Sequence, residues 1–174
     1  MSHILNGCTV LRDAYTNRHN RILDLIHQKV QTYNKDSICI KDSPIRPSSF
    51  VPGNNSNFNS RECRPDMVLI NNREKTVKLV EVSVPFDPFI SNCYQTKFNK
   101  YFPISQEIND LGFRTEILVF IVGSLGHVHR RFNSGLSKLN IPNYEINTLS
   151  KYCSISAIIG SRLVWKMRCR RNDP

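Results

Sequence analysis

The segment Val80-Glu81-Val82-Ser83-Val84 sets an acidic side chain in one of the most β-prone stretches of the chain. Val77, Leu79, Val80, Val82 and Val84 cover both faces of the strand they predict, and a strand apolar on both faces belongs in the middle of a sheet. A carboxylate buried there costs several kcal/mol unless a proton, a cation or a metal compensates it. The plainer alternative is an open strand end, where Glu81 meets water or a lysine. Asp66 adds a second carboxylate. It starts the preceding apolar run, with fourteen residues between it and Glu81. A hairpin turning near Asn72-Arg73 brings the start of one strand beside the end of the other. Like charges at that separation repel unless a cation lies between them. A hard divalent ion with oxygen ligands answers the repulsion, and Mg²⁺ or Mn²⁺ is the ion suited to phosphate chemistry. Pro65 fixes the backbone just before Asp66.

A third component follows on a predicted helix. Lys97, Lys100 and Tyr101 are spaced i, i+3, i+4, with Tyr94 one turn earlier on the same face. An ammonium group on that face can position an attacking water and offset charge growing on a scissile phosphate. The competing reading is a solvated basic face that only touches phosphates.

The elements that must position these groups are legible as a pattern. Residues 9–33 read as a helix, with Ile22, Leu25, Ile26 and Val30 at helical spacing. Ser37–Lys41 is short and β-prone. Residues 43–60, rich in Pro, Asn and Ser, read as a loop. Asp66–Ile70 and Thr76–Val84 form the hairpin around Asn71–Glu74. Asp87-Pro88 offers an N-cap and a first-turn proline for the next helix, which should end or kink at Pro103, with a separate helical piece at Ser105–Leu111. Residues 114–122 read as a buried strand, followed by helices over about 126–139 and 145–169. His127 and His129 fall near the first of these starts, as surface or cap residues. Leu163 and Trp165 read as packing residues. The order is helix, three strands, helix, strand, then extra helices: an α/β fold with a small central sheet flanked by helices.

The chain has 174 residues, room for one globular domain, and its hydrophobic fraction of 40% argues against disorder. A formal charge of +10 favours a polyanionic partner, with nucleic acid ahead of an anionic membrane surface. No apolar run is long enough for a membrane span, and the N-terminus lacks the pattern of a signal peptide, which together read as intracellular. Cys8, Cys39, Cys63, Cys93, Cys153 and Cys169 are widely spread without a C-x-x-C pair, and read as free, mostly buried thiols rather than a disulfide framework. The basic cluster from Arg162 to Arg171 reads either as an exposed helix face or as a grip on DNA.

Arg64-Pro65-Asp66, Glu81-x-Ser83 and Lys97 together resemble the PD-(D/E)XK nuclease superfamily. Its lysine usually stands two residues after the acid. Here that position is Ser83, and Lys97 fits the branches in which the lysine lies on the next helix. The closer resemblance is to the restriction-like endonuclease domain of site-specific LINE-type (non-LTR) retrotransposon polyproteins. It is carried by Arg64-Pro-Asp-Met-Val-Leu, by Val80-Glu-Val-Ser-Val-Pro-Phe86, by Lys97-Phe-Asn-Lys-Tyr101, and by His3-Ile-Leu-Asn-Gly-Cys8 with Arg18-His19-Asn20. It covers residues 3 to about 125.

The resemblance implies a restriction-endonuclease-like αβββαβ core with a small mixed sheet over residues 9–125, and a C-terminal helical extension over 126–174. It implies catalysis by Asp66, Glu81 and Lys97, with Lys100 and Tyr101 from the same helix face, and Mg²⁺ or Mn²⁺ on Asp66 and Glu81. The reaction would be a nick in target DNA that exposes a 3′ hydroxyl for target-primed reverse transcription, in the nucleus. An upstream reverse transcriptase domain and the element RNA would be partners in a longer protein. His3-x₄-Cys8 resembles the second half of a CCHC zinc knuckle, so residues 1–8 would be its remnant, with Zn²⁺ bound only in the full-length protein. A frayed terminus with a free thiol is the alternative there. Arg18, His19, Arg64, Arg168 and Arg170 are the expected DNA contacts. Ser83 in place of the usual lysine keeps open a nuclease-fold module that binds DNA or RNA without cutting; a resolvase-like nuclease is a further alternative.

Overall fold

The computed structural model describes residues 5–59 and 64–170. Among the described residues the elements follow in the order α1 (Arg12–Tyr33), β1 (Ile38–Lys41), β2 (Met67–Asn71), β3 (Thr76–Ser83), α2 (Ile90–Asp110), β4 (Arg114–Ile121), α3 (Phe132–Lys138) and α4 (Asn143–Arg170). Short 3₁₀ turns stand at Thr9–Leu11, Pro47–Ser49 and Asp87–Phe89. This is the α/β order expected, a small mixed sheet with flanking helices and further helices at the C-terminal end. The chain folds as two compact units. One is Asn34–Glu81 with Tyr94–Val119; the other is Met1–Tyr33 with Val82–Cys93 and Phe120–Pro174.

The unit that holds the sheet is organised by the hairpin. The strand order is β1-β2-β3-β4. β1 and β2 are antiparallel, and so are β2 and β3, with Met67 paired to Val80 and Asn71 to Thr76. β4 runs parallel to β3: the Arg114 amide donates to the Lys75 carbonyl, and eight residues further along both strands the Val122 amide donates to Ser83. The inner position of β3 accounts for its continuous burial from Leu79 to Val82. Val68 and Ile70 of β2 and Val77 and Leu79 of β3 share one face. They pack with Tyr101, Ile104 and Ile108 of α2, and with Ile45, Phe50 and Phe113.

That packing corrects the expectation at Pro103. α2 does not end there but runs through the proline to Asp110, so Ser105–Leu111 is not a separate helix. An internal proline costs roughly 3 kcal/mol. Tyr101, Ile104 and Ile108, fully buried on either side of it, are worth about 1.5–3 kcal/mol each in the continuous helix.

In the other unit α4 packs along α1, and Gly160 is the close-approach point. A Cβ there would lie 2.5 Å from Cγ of Arg18. The region after β4 differs from the helix expected over 126–139. Residues 123–131 form a turn instead, and α3 begins only at Phe132. Asp87 explains it. Its carboxylate does not cap its own 3₁₀ turn but accepts from the amides of Leu125 (2.7 Å) and His127 (3.2 Å). Gly126 takes φ +95°, a conformation that side chains rarely adopt, and Val128 bridges back to Val122. His129 is buried rather than on the surface, and its Nδ1 accepts from the Arg131 amide. Leu163 and Trp165 are exposed, not packed; Val164 between them is the buried one.

Candidate active site

The site lies at one end of the β2–β3 hairpin. Extending the register past Met67 and Val80 sets Asp66 across from Glu81, and directly opposite residues point to the same face. This is the face shared with Val77, Leu79 and α2, so Glu81 ends an apolar row and projects toward the helix. Asp66 is fixed through its backbone: its carbonyl accepts from the Asp42 amide at 3.0 Å.

Glu81 is only 4% exposed. Lys97 and Tyr101, one helical turn apart on α2, meet its two oxygens. Lys97 Nζ is 2.5 Å from Oε1, and the Tyr101 hydroxyl donates to Oε2 at 2.7 Å. The Tyr101 oxygen is also 3.0 Å from the Arg64 carbonyl. Its one hydrogen favours the charged acceptor, which makes the shorter contact. Burial, then the charge of Asp66, raise the Glu81 carboxyl above the ordinary carboxylate range, against the pull of Lys97 and Tyr101 in the other direction. Burial, then Glu81, push the Tyr101 hydroxyl far up, so it stays a donor at any working pH. Two carboxylates therefore stand close enough to feel each other, the buried one held by the Lys97 ammonium.

Lys100 does not share this contact. Its Nζ sits over the Tyr101 ring, 4.8 Å from the centroid, and burial lowers its pKa. The helix face read from the sequence is thus divided: Lys97 and Tyr101 on the acid, Lys100 behind them. Arg64 is exposed at the same end, with one guanidinium nitrogen 2.8 Å from the Asp42 carbonyl.

The donor set admits a divalent ion. A carboxylate offers about four lone-pair positions, and Lys97 and Tyr101 take one on each Glu81 oxygen. Mg²⁺ commonly binds through one or two carboxylates and completes its shell with water and substrate phosphate. The described residues hold no group of three or more His, Cys, Asp and Glu side chains suited to a metal. Among the described residues, Asp66 and Glu81 would be the carboxylates that hold it.

The remaining expected site residues lie elsewhere, in the unit with α1 and α4. Arg18 is a correction. It is 3% exposed, and its guanidinium donates to Ser161 Oγ (2.7 Å), Asn6 Oδ1 (2.6 Å) and the Val84 carbonyl (3.2 Å). Burial lowers its pKa to about 10. It ties the fold together internally and presents no exposed face to a phosphate. His19 is half-buried, with Nε2 3.2 Å from the Val82 carbonyl. Arg168 is half-buried near the end of α4, and the Arg170 side chain lies outside the described residues. Cys8 is buried among Leu5, Leu11, Ala14 and Val164, a packing position; His3 lies outside the described residues. Cys8, Cys39, Cys93, Cys153 and Cys169 are free thiols. Among the described residues no helix is long and apolar enough to cross a membrane.

Sequence reasoning missed the Ser161 hydroxyl, which passes the Arg18 bond on to the Ser124 carbonyl at 2.6 Å. A lone serine late in a helix carries no signal of that role. Neither the protein-family models nor the curated proteins contain a match to this chain.

Proposed function

We propose that the chain is a metal-dependent endodeoxyribonuclease whose active site is Asp66, Glu81, Lys97 and Tyr101. The observation that carries the reading is the buried Glu81 carboxylate, held by Lys97 and Tyr101 with Asp66 across the hairpin. Structural ion pairs are usually exposed or fully neutralised, and a second carboxylate pressed against a buried one raises the energy of the folded state. Such a cost is retained where chemistry uses it.

The residues divide the work of phosphodiester hydrolysis. Water attacks phosphorus and the bond to the 3′ oxygen breaks, leaving a 3′ hydroxyl and a 5′ phosphate. Lys97 positions the water and offsets charge on the phosphoryl oxygens. Glu81 receives the proton that the water loses, and the departing 3′ oxygen takes a proton from solvent water. Tyr101 fixes the Glu81 rotamer. Asp66 and Glu81 would hold Mg²⁺ or Mn²⁺, which when bound supplies a Lewis acid for the phosphate. In the setting that the sequence resemblance implies, the nick primes reverse transcription in the nucleus, beside an upstream reverse transcriptase domain and its RNA. A +10 chain suits a DNA target.

The test is a plasmid-nicking assay with Mg²⁺, comparing wild type, Asp66→Ala, Glu81→Gln and Lys97→Ala, with folding checked by circular dichroism. Nicking by wild type alone, abolished by EDTA, is expected. Equal nicking in all four refutes the proposal. Binding without cutting by wild type supports the non-catalytic reading that Ser83, in place of the usual lysine, leaves standing.

A further inference from the structure

Tyr94, Phe98 and Phe102 form an aromatic row on α2. The residues are four apart, and the ring centroids of each neighbouring pair are 6.3 Å apart. The Tyr94 and Phe98 planes are nearly parallel, at 16°; Phe98 and Phe102 are at 31°. Phe102 is 47% exposed, and the other two are half-buried. Phe98 follows Lys97 directly, so the row flanks the Lys97–Tyr101 row about 100° around the helix. The hydrocarbon core of this unit uses Tyr101, Ile104 and Ile108 from α2 and none of these three rings. Phe102 faces solvent, and Tyr94 and Phe98 each keep part of their surface open along the same helix flank.

We infer that this row stacks the bases of unpaired nucleotides, so that the substrate strand is presented to Glu81 and Lys97 locally melted or single-stranded. The inference rests on the reading of Glu81 and Lys97 as the phosphate-cleaving site. The spacing selects the occupant. Rings that repeat every 6.3 Å stand about twice as far apart as the 3.4 Å advance per nucleotide of a duplex strand. Adjacent bases can each meet a ring only after they unstack from one another. Charge points the same way. Lys97 and Lys100 interleave with the rings on a chain of net charge +10, so a polyanion suits the flank better than a neutral apolar partner. Aromatic stacking combined with a basic track is the general means of holding single strands with little sequence preference.

The experiment is fluorescence anisotropy in EDTA, where binding is read without cleavage, on oligonucleotides of one sequence. A blunt duplex, the duplex with a short central bubble, and the single strand are compared. Wild type should bind the bubble and the single strand roughly tenfold tighter than the duplex for each ring engaged. Phe98→Leu/Phe102→Leu keeps the apolar volume and the helix, and should lose about two thirds of that preference on a logarithmic scale, leaving the share of Tyr94, while duplex affinity and melting temperature stay unchanged. If the double variant melts early, Phe102→Leu alone, at the most exposed ring, should lose about a third of the preference on a logarithmic scale. A wild type without the preference, or a folded variant that retains it in full, overturns the inference. So does a variant that changes only self-association, since the row would then be an interface between copies. Failure of the nuclease reading shows separately, as Glu81→Gln nicking at the wild-type rate, and does not alter what the anisotropy reports.

Discussion

Tyr101→Phe removes one oxygen from a fully buried ring and leaves the rest of α2 in place. That hydroxyl makes a 2.7 Å bond to the Glu81 carboxylate, and hydrogen bonds to charged groups contribute about 1.5–3 kcal/mol. The void is smaller than a water, so the lost bond dominates, and roughly 2 kcal/mol of stability should go with it. For a chain of this size that lowers the melting temperature by about 4–8 °C. The pH dependence makes the prediction specific. The Tyr101 bond favours the ionised form of Glu81, so its loss moves the Glu81 titration further up. The destabilisation should grow as rising pH ionises Glu81, and should shrink toward pH 4, where the carboxyl is protonated. Nicking in the variant should fall, with its acid limb displaced to higher pH. The assay is thermal melting of wild type and variant across that pH range, with nicking rates at matched pH. Equal destabilisation at pH 4 and pH 8 would mean that the hydroxyl fills space rather than supports the charge, and would refute the reasoning.

Other outcomes follow from the same geometry. Lys97→Ala should cut nicking by about a hundredfold or more, while Lys100→Ala, whose Nζ lies over the Tyr101 ring, should chiefly weaken DNA binding; single-turnover rates with saturating enzyme rank the two, and the reverse order would move the catalytic role to Lys100. Glu81 has a raised pKa in the fold, so the stability it contributes is fully present at low pH and is lost as pH rises through that pKa. Glu81→Gln should therefore melt higher than wild type at pH 8 and match it near pH 4, and a lower melting point at pH 8 would contradict this. Arg18→Lys should lose about 2–4 kcal/mol, because one ammonium cannot serve Ser161, Asn6 and the Val84 carbonyl together; chemical denaturation measures it, and a neutral result would restore Arg18 as a free cation. Gly160→Ala should destabilise as well, because the new methyl meets the Arg18 side chain at 2.5–2.8 Å.

The hairpin was legible in the sequence in outline. Two β-prone runs around Asn71–Glu74 bring the start of one strand beside the end of the other, and the register that sets Asp66 opposite Glu81 belongs to the folded hairpin. Local patterning also determined the element order and the burial of β3. It could not choose between Lys97 and Lys100, which share a helix face at i, i+3; only the docking of α2 on the sheet directs one to the carboxylate and the other over a ring. The same docking carries α2 through Pro103, where local rules stop it. Arg18 and Asp87 show the converse. Each has the composition of a surface or capping residue, yet their partners are up to 143 residues away in sequence. Short-range rules act over a helical turn or a strand pair. The environment of a buried polar group is set by segments that meet only when the chain has folded.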